Sequence, residues 1–338
     1  MKVFMTQDLE KEGVAILKQV AEVASPAHLN PLKREEFLSG IADADGAIMV
    51  WHTEMMDREA FDRAPKLKVV ARRGVGYDNI DVAEATRRGI YVSVCPMHVA
   101  TIADTAFGLL MCAARRFPRA DHFVRTGQWT EGGSWVAFKF MGQEVNHSVL
   151  GIIGLGRIGQ EVAKRAAGFD MKILYYDEVR QPEVEKKMGV TFVPLEELLA
   201  TADFVSINCA LNESTHHLIN DRTLRMMKPT AILVNTSRGE TVDLEALYRA
   251  LKEGRLGGAG LDVFDPEPIP VNHPLLTLEN VVFTPHLGTS TLGSRRLMAE
   301  TVAQSVVDVL SGKEPKFLLN PEVRKVRPLR PHDSVYGT

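Results

Sequence analysis

Cysteine is scarce in this 338-residue chain: Cys95, Cys112 and Cys209 are odd in number and far apart, with no CxxC pair and no Cys/His cluster. That argues against a disulfide framework or a metal site and fits small side chains in a reducing compartment. Net charge is nearly absent too, since 40 Lys and Arg against 43 Asp and Glu leave −3. Such a balance gives no bulk attraction to nucleic acid or to an acidic membrane, so any anion must be held by a local site. Long apolar runs are also missing. The stretch from Met1 to Asp8 meets charge before a signal-peptide core develops. The most apolar helical stretch, 107–114, lies between Asp104 and Arg115 and is too short to span a bilayer. The expectation is a soluble, cytoplasmic protein with no membrane or nucleic-acid partner.

What is present is length and alternation. The length suits two domains, and 45% hydrophobic with 25% charged residues is ordinary for a globular protein. Apolar runs at 3–5, 47–49, 69–71 and 90–93 read as strands, with helical patterns at 10–20, 31–41 and 81–88 between them. A second series of strands falls at 149–153, 172–176, 204–208, 231–234, 259–261 and 281–284. Its helices fall near 157–167, 195–200 and 244–253. Strands alternating with helices predict parallel sheets covered on both faces, an α/β fold. A complete α/β unit precedes the glycine motif near residue 154, although a dinucleotide domain usually opens on the strand before that motif. The expected organisation is therefore a domain of residues 1–98 plus 291–338 and a nucleotide domain of residues 99–290. The helical stretch 102–114 is a candidate connector, and 293–310 a helix returning the chain. The basic, proline-bearing segment 321–338 reads as a surface strap or a disordered end.

Gly154-Leu155-Gly156-Arg157-Ile158-Gly159 has a strand before it and a helix after it. Gly154 permits the tight turn, Gly156 lets a pyrophosphate approach the backbone, and Gly159 lets helix and strand pack closely. The phosphates would then meet free amides at a helix N-terminus. Asp177 ends the next strand, 18 residues after Gly159. A carboxylate there accepts from the adenosine ribose hydroxyls and repels a 2′-phosphate, which favours NAD over NADP. Arg180 nearby argues the other way.

Arg238, in Asn235-Thr236-Ser237-Arg238-Gly239, follows a strand at the end where open α/β sheets bind ligands. Its planar fork can grip a carboxylate, or it can be a surface arginine in a loop. His286 follows another strand of the same series, and Glu267 another. If carboxylate meets imidazole, it fixes the tautomer and favours the protonated ring, giving a proton donor near neutral pH. Asp262, also at a strand end, is poised to reach a cofactor amide or to cap a turn. A dinucleotide cradle, an anion clamp and a proton donor together are what interconverting a 2-keto acid and a 2-hydroxy acid requires.

These motifs, with Gly260-Leu261-Asp262-Val263-Phe264, Thr284-Pro285-His286 and Gly74-Val75-Gly76-Tyr77-Asp78-Asn79-Ile80, resemble the D-isomer-specific 2-hydroxyacid dehydrogenase family over nearly the whole chain. Within it, the stretch 266–276 is most similar to glyoxylate/hydroxypyruvate reductases. The resemblance implies a Rossmann coenzyme domain inserted in a flavodoxin-like substrate domain, with the active site in the cleft between them. It implies Arg238, Glu267 and His286 as the catalytic set, and backbone amides of Val75 and Gly76 for the substrate carboxylate. Arg157, Ile158, Asp177, Thr236, Asp262 and Gly288 would line the cofactor with the three motif glycines. It implies no metal, and a homodimer through the coenzyme domain, with the arm around Trp129 and Trp135 as the dimerising segment. Two departures bear on substrate shape: Val94-Cys95-Pro96-Met97 where the family commonly has Asn-Thr-Pro, and Ala210 where a proline often stands. The competing readings are a short phosphoglycerate dehydrogenase or another D-hydroxyacid enzyme and, from a different class, an NAD(H)-sensing corepressor of the carboxyl-terminal binding protein type.

Overall fold

A computed structural model describes residues 1–28, 30–132 and 136–329. The chain divides into two compact units, Met1–His98 with Ser290–Thr338, and Val99–Thr289. The second unit is thus inserted in the sequence of the first.

The first unit is built on β1 (Lys2–Met5), β2 (Glu22–Ala24), β3 (Gly46–Met49), β4 (Val69–Arg72) and β5 (Tyr91–Val94). They pair in parallel in the order β2-β1-β3-β4-β5, the flavodoxin-like winding. Strands β3 and β4 are buried along their whole length, as helix-covered parallel strands must be. One face packs on helices Arg34–Ile41 and Arg58–Arg63 through Phe37, Leu38, Ile41 and Phe61. The other packs on Lys11–Leu17 and Leu292–Leu310 through Leu17, Met298, Val302 and Val306. Those two helices approach so closely at Gly13 that a Cβ there would stand 2.7 Å from the Ala299 carbonyl oxygen. The C-terminal segment covers the exposed edge of β5. Val94 N–H donates to Phe317 O at 3.2 Å and Leu319 N–H to Val92 O at 2.8 Å. Asn320, 2% exposed, accepts from Val92 N–H and donates to Ile90 O and Thr86 Oγ1. The segment expected as a strap or disordered end, 321–338, begins just after this cover: Val323–Val326 form a short helix with Val323 buried, Tyr91 Oη donates to Arg327 O at 2.7 Å, and residues from 330 on lie outside the described residues.

The second unit holds β6 (Val149–Ile153), β7 (Lys172–Tyr176), β8 (Thr191–Phe192), β9 (Phe204–Ile207), β10 (Ile232–Asn235), β11 (Gly258–Leu261) and β12 (Val281–Phe283). All are parallel, in the order β12-β11-β10-β9-β6-β7-β8, which is the Rossmann winding with one further strand. Helices Val99–Arg115 and Arg157–Ala167 cover one face through Ala106, Leu110, Val162 and Ala166. Leu195–Thr201 and Leu244–Lys252 cover the other through Leu198, Leu199, Leu247 and Leu251. The helix expected as a connector opens this unit, and its Leu109 lies against Gly260, where a Cβ would stand 2.9 Å from the leucine Cβ. The strand order reverses between β6 and β9, so a crevice forms beyond their carboxyl ends, and the glycine motif leaves β6 there. Among the described residues no helix is long and apolar enough to cross a membrane. Trp129 is half exposed on Gln128–Gly132, and Trp135 lies outside the described residues.

Candidate active site

The glycine turn is built by close contacts. Gly154 has φ +89°, and a Cβ there would stand 2.7 Å from Cys209 N at the exit of β9. Only glycine meets both conditions. A Cβ on Gly159 would lie 2.2 Å from the Gly154 carbonyl oxygen, so the helix sits directly on the turn. At Gly156, the N-cap of Arg157–Ala167, a Cβ would meet nothing within 4 Å. The helix N-terminus therefore faces open space with its first amides available to an anion. Arg157 is exposed and Ile158 half-buried beside it.

Asp177 closes the turn from the side. Its Oδ2 accepts from Leu155 N–H at 2.8 Å and from Gln181 Nε2 at 3.4 Å. Arg180, the residue that argued for a 2′-phosphate, is committed elsewhere. Its guanidinium grips Glu185 through both oxygens, at 2.8 and 2.9 Å, and stacks over Phe192. Arg180 first, and then the Tyr175 hydroxyl, hold the Glu185 carboxyl down at about 2. Glu185 has no part in the sequence motif; it sits five residues after Arg180, in the first turns of the helix Pro182–Met188. Cys209 sits against the turn with its thiol pushed up to about 11, by burial first and then by the charges of Asp177 and Glu178.

Two buried acceptors mark the neighbouring strand ends. Asn208 Oδ1 beyond β9 and Thr236 Oγ1 beyond β10 meet no partner among the described residues. Buried polar atoms are rarely left so, and these lie where a dinucleotide would place its amide and hydroxyl groups. The open helix N-terminus, the acidic residue and the orphaned atoms fit the cofactor that the sequence implied. Reasoning from sequence missed Asn208, although a polar residue ending a strand at the switch point was visible there.

Arg238 leaves β10 in a turn fixed by its own sequence. Asn235 Nδ2 donates to Arg238 O at 2.8 Å, Thr241 Oγ1 donates to the same oxygen at 2.7 Å, and Asn235 Oδ1 accepts from Ser237 N–H at 3.0 Å. The half-buried guanidinium donates to Ser237 O at 2.8 Å. Gly239 lets this turn lie on the next one: a Cβ would stand 2.0 Å from the Phe264 main chain, three residues before Glu267.

Glu267 and His286 meet, with Oε1 2.7 Å from Nδ1. The glutamate side chain is 17% exposed and the histidine 39%, so the pair is shielded on the carboxylate side and open on the imidazole side. His286 adopts φ +55°, a left-handed conformation that histidine rarely takes. The structure sustains it through Asp262, which is 1% exposed. Asp262 Oδ1 accepts from Thr284 Oγ1 at 2.6 Å and Leu287 N–H at 2.7 Å, while Oδ2 accepts from Gly288 N–H at 2.9 Å. His286 N–H donates to Asp262 O at 2.9 Å. Of the two roles open to Asp262, turn anchor and cofactor contact, these bonds fill the first. Gly288, expected to line the cofactor, stands beside Asp262, to which its N–H donates. Burial pushes the Asp262 carboxyl pKa up, against the pull of Thr284, Leu287, His286 and Gly288.

In the first unit, Val75 and Gly76 lie half-buried in the loop beyond β4, and their N–H groups meet no acceptor among the described residues. Consecutive unpaired amides form an anion-binding concavity.

Within the second unit, the glycine turn and the carboxylate-held histidine are the features of a nucleotide-dependent oxidoreductase, and similarity to known proteins agrees. Residues 107–288 match the family described as "D-isomer specific 2-hydroxyacid dehydrogenase, NAD binding domain". The chain is 48% identical over 328 residues to a glyoxylate reductase of Korarchaeum cryptofilum, covering 97% of this chain and 98% of that one. Among solved structures, the TT0316 protein from Thermus thermophilus superposes with a TM-score of 0.88 at 39% identity, covering 94% and 100% of the two chains. A glyoxylate reductase from Paecilomyes thermophila gives a TM-score of 0.83 at 32% identity, covering 95% and 98%. The chain belongs to the D-isomer specific 2-hydroxyacid dehydrogenase family. It is an NAD-binding oxidoreductase acting on a CH–OH group.

Proposed function

We propose that this enzyme reduces a small 2-keto acid with NADH, glyoxylate to glycolate or hydroxypyruvate to D-glycerate. The observation that carries the reading is the 2.7 Å contact between His286 Nδ1 and Glu267 Oε1. With Nδ1–H held by the carboxylate, Nε2 is the atom that delivers a proton to the nascent alkoxide. Arg238 orients the substrate by its carboxylate and carbonyl oxygen, and the Val75 and Gly76 amides take the rest of the carboxylate's charge. When bound, the nicotinamide supplies the hydride. Asp177 beside the glycine turn, with Arg180 drawn onto Glu185, supports NADH over NADPH.

The Korarchaeum relative is a glyoxylate reductase, which supports this substrate class over phosphoglycerate or a corepressor role. The test is NADH oxidation across glyoxylate, hydroxypyruvate, pyruvate, bulkier keto acids and 3-phosphohydroxypyruvate. Fast turnover of the first two supports the reading, and turnover of the phosphorylated acid alone overturns it. The proposal includes a homodimer in a reducing cytoplasm. Phe117, Val124, Trp129, Phe138 and Met141 are 48 to 73% exposed on the arm that would pair, an apolar surface larger than isolated exposed residues give. A monomer in sedimentation equilibrium at micromolar concentration would remove that part.

A further inference from the structure

Two adjacent arginines, Arg72 and Arg73, lead from β4 into the loop that carries Val75 and Gly76. Val69 and Ala71 pack with Leu17 and Met298 of the helices Lys11–Leu17 and Leu292–Leu310. Side chains two apart share a face, and Arg73, next in that row, meets those helices where they begin. Its side chain is 4% exposed, and Nη2 donates to both oxygens of Glu10, at 3.0 and 2.9 Å. Arg73 Nε is buried and meets no partner among the described residues. Glu10 is therefore the counter-charge for a buried guanidinium that cannot shed its proton.

Glu10 is the N-cap of Lys11–Leu17, yet its side chain makes no capping bond. It accepts instead from Arg295 Nε at 2.7 Å, in the first turn of Leu292–Leu310, as well as from Arg73. Burial raises the Glu10 carboxyl, but Arg295 and Arg73 together outweigh it and hold the group below its ordinary value. One carboxylate thus joins the starts of two packed helices to Arg73. The Arg73 main chain is in turn the near anchor of the anion-binding loop. Arg73 N–H donates to Met49 O at 2.9 Å, Gly74 O accepts from Cys95 N–H at 2.9 Å, and Val75 and Gly76 follow directly.

We propose that Arg73 and Glu10 are positioning residues, an ion pair that sets the Val75 and Gly76 amides for the substrate carboxylate without touching the substrate. The inference rests on the functional reading above, which gives those amides their ligand. The carboxylate is not altered by the reaction, so the amides grip it equally in the bound substrate and in the transition state. Disturbing them should therefore raise KM and leave kcat in place.

The experiment measures KM and kcat for glyoxylate and hydroxypyruvate, NADH affinity by fluorescence, and amide hydrogen exchange in the native protein, Arg73→Met and Arg73→Lys. Arg73→Met keeps an apolar stem and loses the charge. Its keto-acid KM should rise at least about fivefold, with kcat and NADH affinity within about twofold of native. The amides of Arg73 and Cys95, which close the base of the loop, should exchange faster. Arg73→Lys should bring KM back to within about twofold, because one nitrogen spans both Glu10 oxygens and an ammonium can do the same. A native KM in Arg73→Met, or equal losses of kcat and NADH affinity, would overturn the assignment. Should Arg73→Met not fold, Glu10→Gln, at the less buried partner, carries the same expectations. If the native protein turns over no 2-keto acid, the functional reading itself fails, whereas native turnover with unchanged loop exchange in Arg73→Met fails the positioning role alone.

Discussion

In the proposed mechanism His286 delivers its proton from a backbone conformation that costs on the order of 1 kcal/mol or more for a residue with a Cβ. The return on that strain is direction: the left-handed turn points Nδ1 at Glu267 while Asp262 ties down the residues on either side. In the same proposal Arg238 acts through its side-chain geometry as much as its charge. Arg238→Lys keeps the charge and loses the fork, so kcat/KM should fall by at least about a hundredfold with NADH affinity nearly unchanged, checked by steady-state kinetics and fluorescence titration. Near-native turnover would remove Arg238 from the mechanism. Cofactor choice is also decided by a few charges. Glu185→Gln should release Arg180 toward a 2′-phosphate and improve NADPH use, and Asp177→Ala should do the same by removing the repulsive carboxylate. The Glu185 carboxyl is held at about 2, below its ordinary value, so the pair stays charged at any pH above that and dissolves only as pH falls toward it. An NMR titration of Glu185 should therefore show no carboxyl ionisation between about pH 8 and about pH 4. An ionisation within that range would contradict the pairing. Arg180 shows what residue-level reading could and could not supply. Its nearness to the ribose site was visible in sequence; that Glu185 and Phe192 draw it aside depends on how the helix after Gln181 packs.

At the scale of elements, the site is a set of strand ends brought level by parallel register. Asn235 of β10 stands opposite Ile207 of β9 and Leu261 of β11, so the residues just beyond all three emerge together. The sequence placed those strands within a residue or two because their apolar runs are buried on both faces. It missed β2 and β8 for the opposite reason. Glu22–Ala24 and Thr191–Phe192 are short outer strands with little apolar content, and only their neighbours make them strands. The turn between β10 and β11 gives an element-scale test. Gly239→Ala forces a Cβ into the Phe264 main chain, displacing the Arg238 turn from the Glu267 segment. Overpacking of this kind costs about 1–3 kcal/mol. Activity should drop at least about tenfold, while NADH binding, built on β6 and β7, should change much less. Equal loss of both would show a global defect. Asp262 could be read in sequence as cap or cofactor ligand because both roles place a carboxylate at a strand end; its three donors were not local in sequence and could not be read.

For the whole molecule, the order of segments was legible before any coordinates: a first α/β unit, an inserted nucleotide unit, and a return at the C-terminus. The position of the glycine motif, far from the N-terminus, carried that inference. The ordered cover over β5 was not legible, because its hold comes from Asn320 and backbone pairing across more than two hundred residues of sequence. Cofactor binding should stabilise the folded chain by about 2.7 kcal/mol when NADH is present at a hundred times its Kd. Thermal unfolding with and without NADH checks this, and no shift would argue against the cradle at Gly154–Gly159. The same scans can be run after iodoacetamide at pH 8. With its thiol pushed up to about 11, Cys209 should resist modification in the native protein and react once it is unfolded, read by mass spectrometry of the peptide.

The central claim is that Glu267 holds His286 as the proton donor, and one comparison tests it directly. The rate of hydride transfer to glyoxylate or hydroxypyruvate is measured by stopped-flow NADH absorbance in the native enzyme, Glu267→Gln and His286→Ala. The 2.7 Å contact fixes the ring so that Nε2 is left to deliver the proton. Glu267→Gln should slow hydride transfer by at least about tenfold, and His286→Ala by at least about a hundredfold, each with NADH affinity nearly unchanged. A native rate in Glu267→Gln would contradict the account.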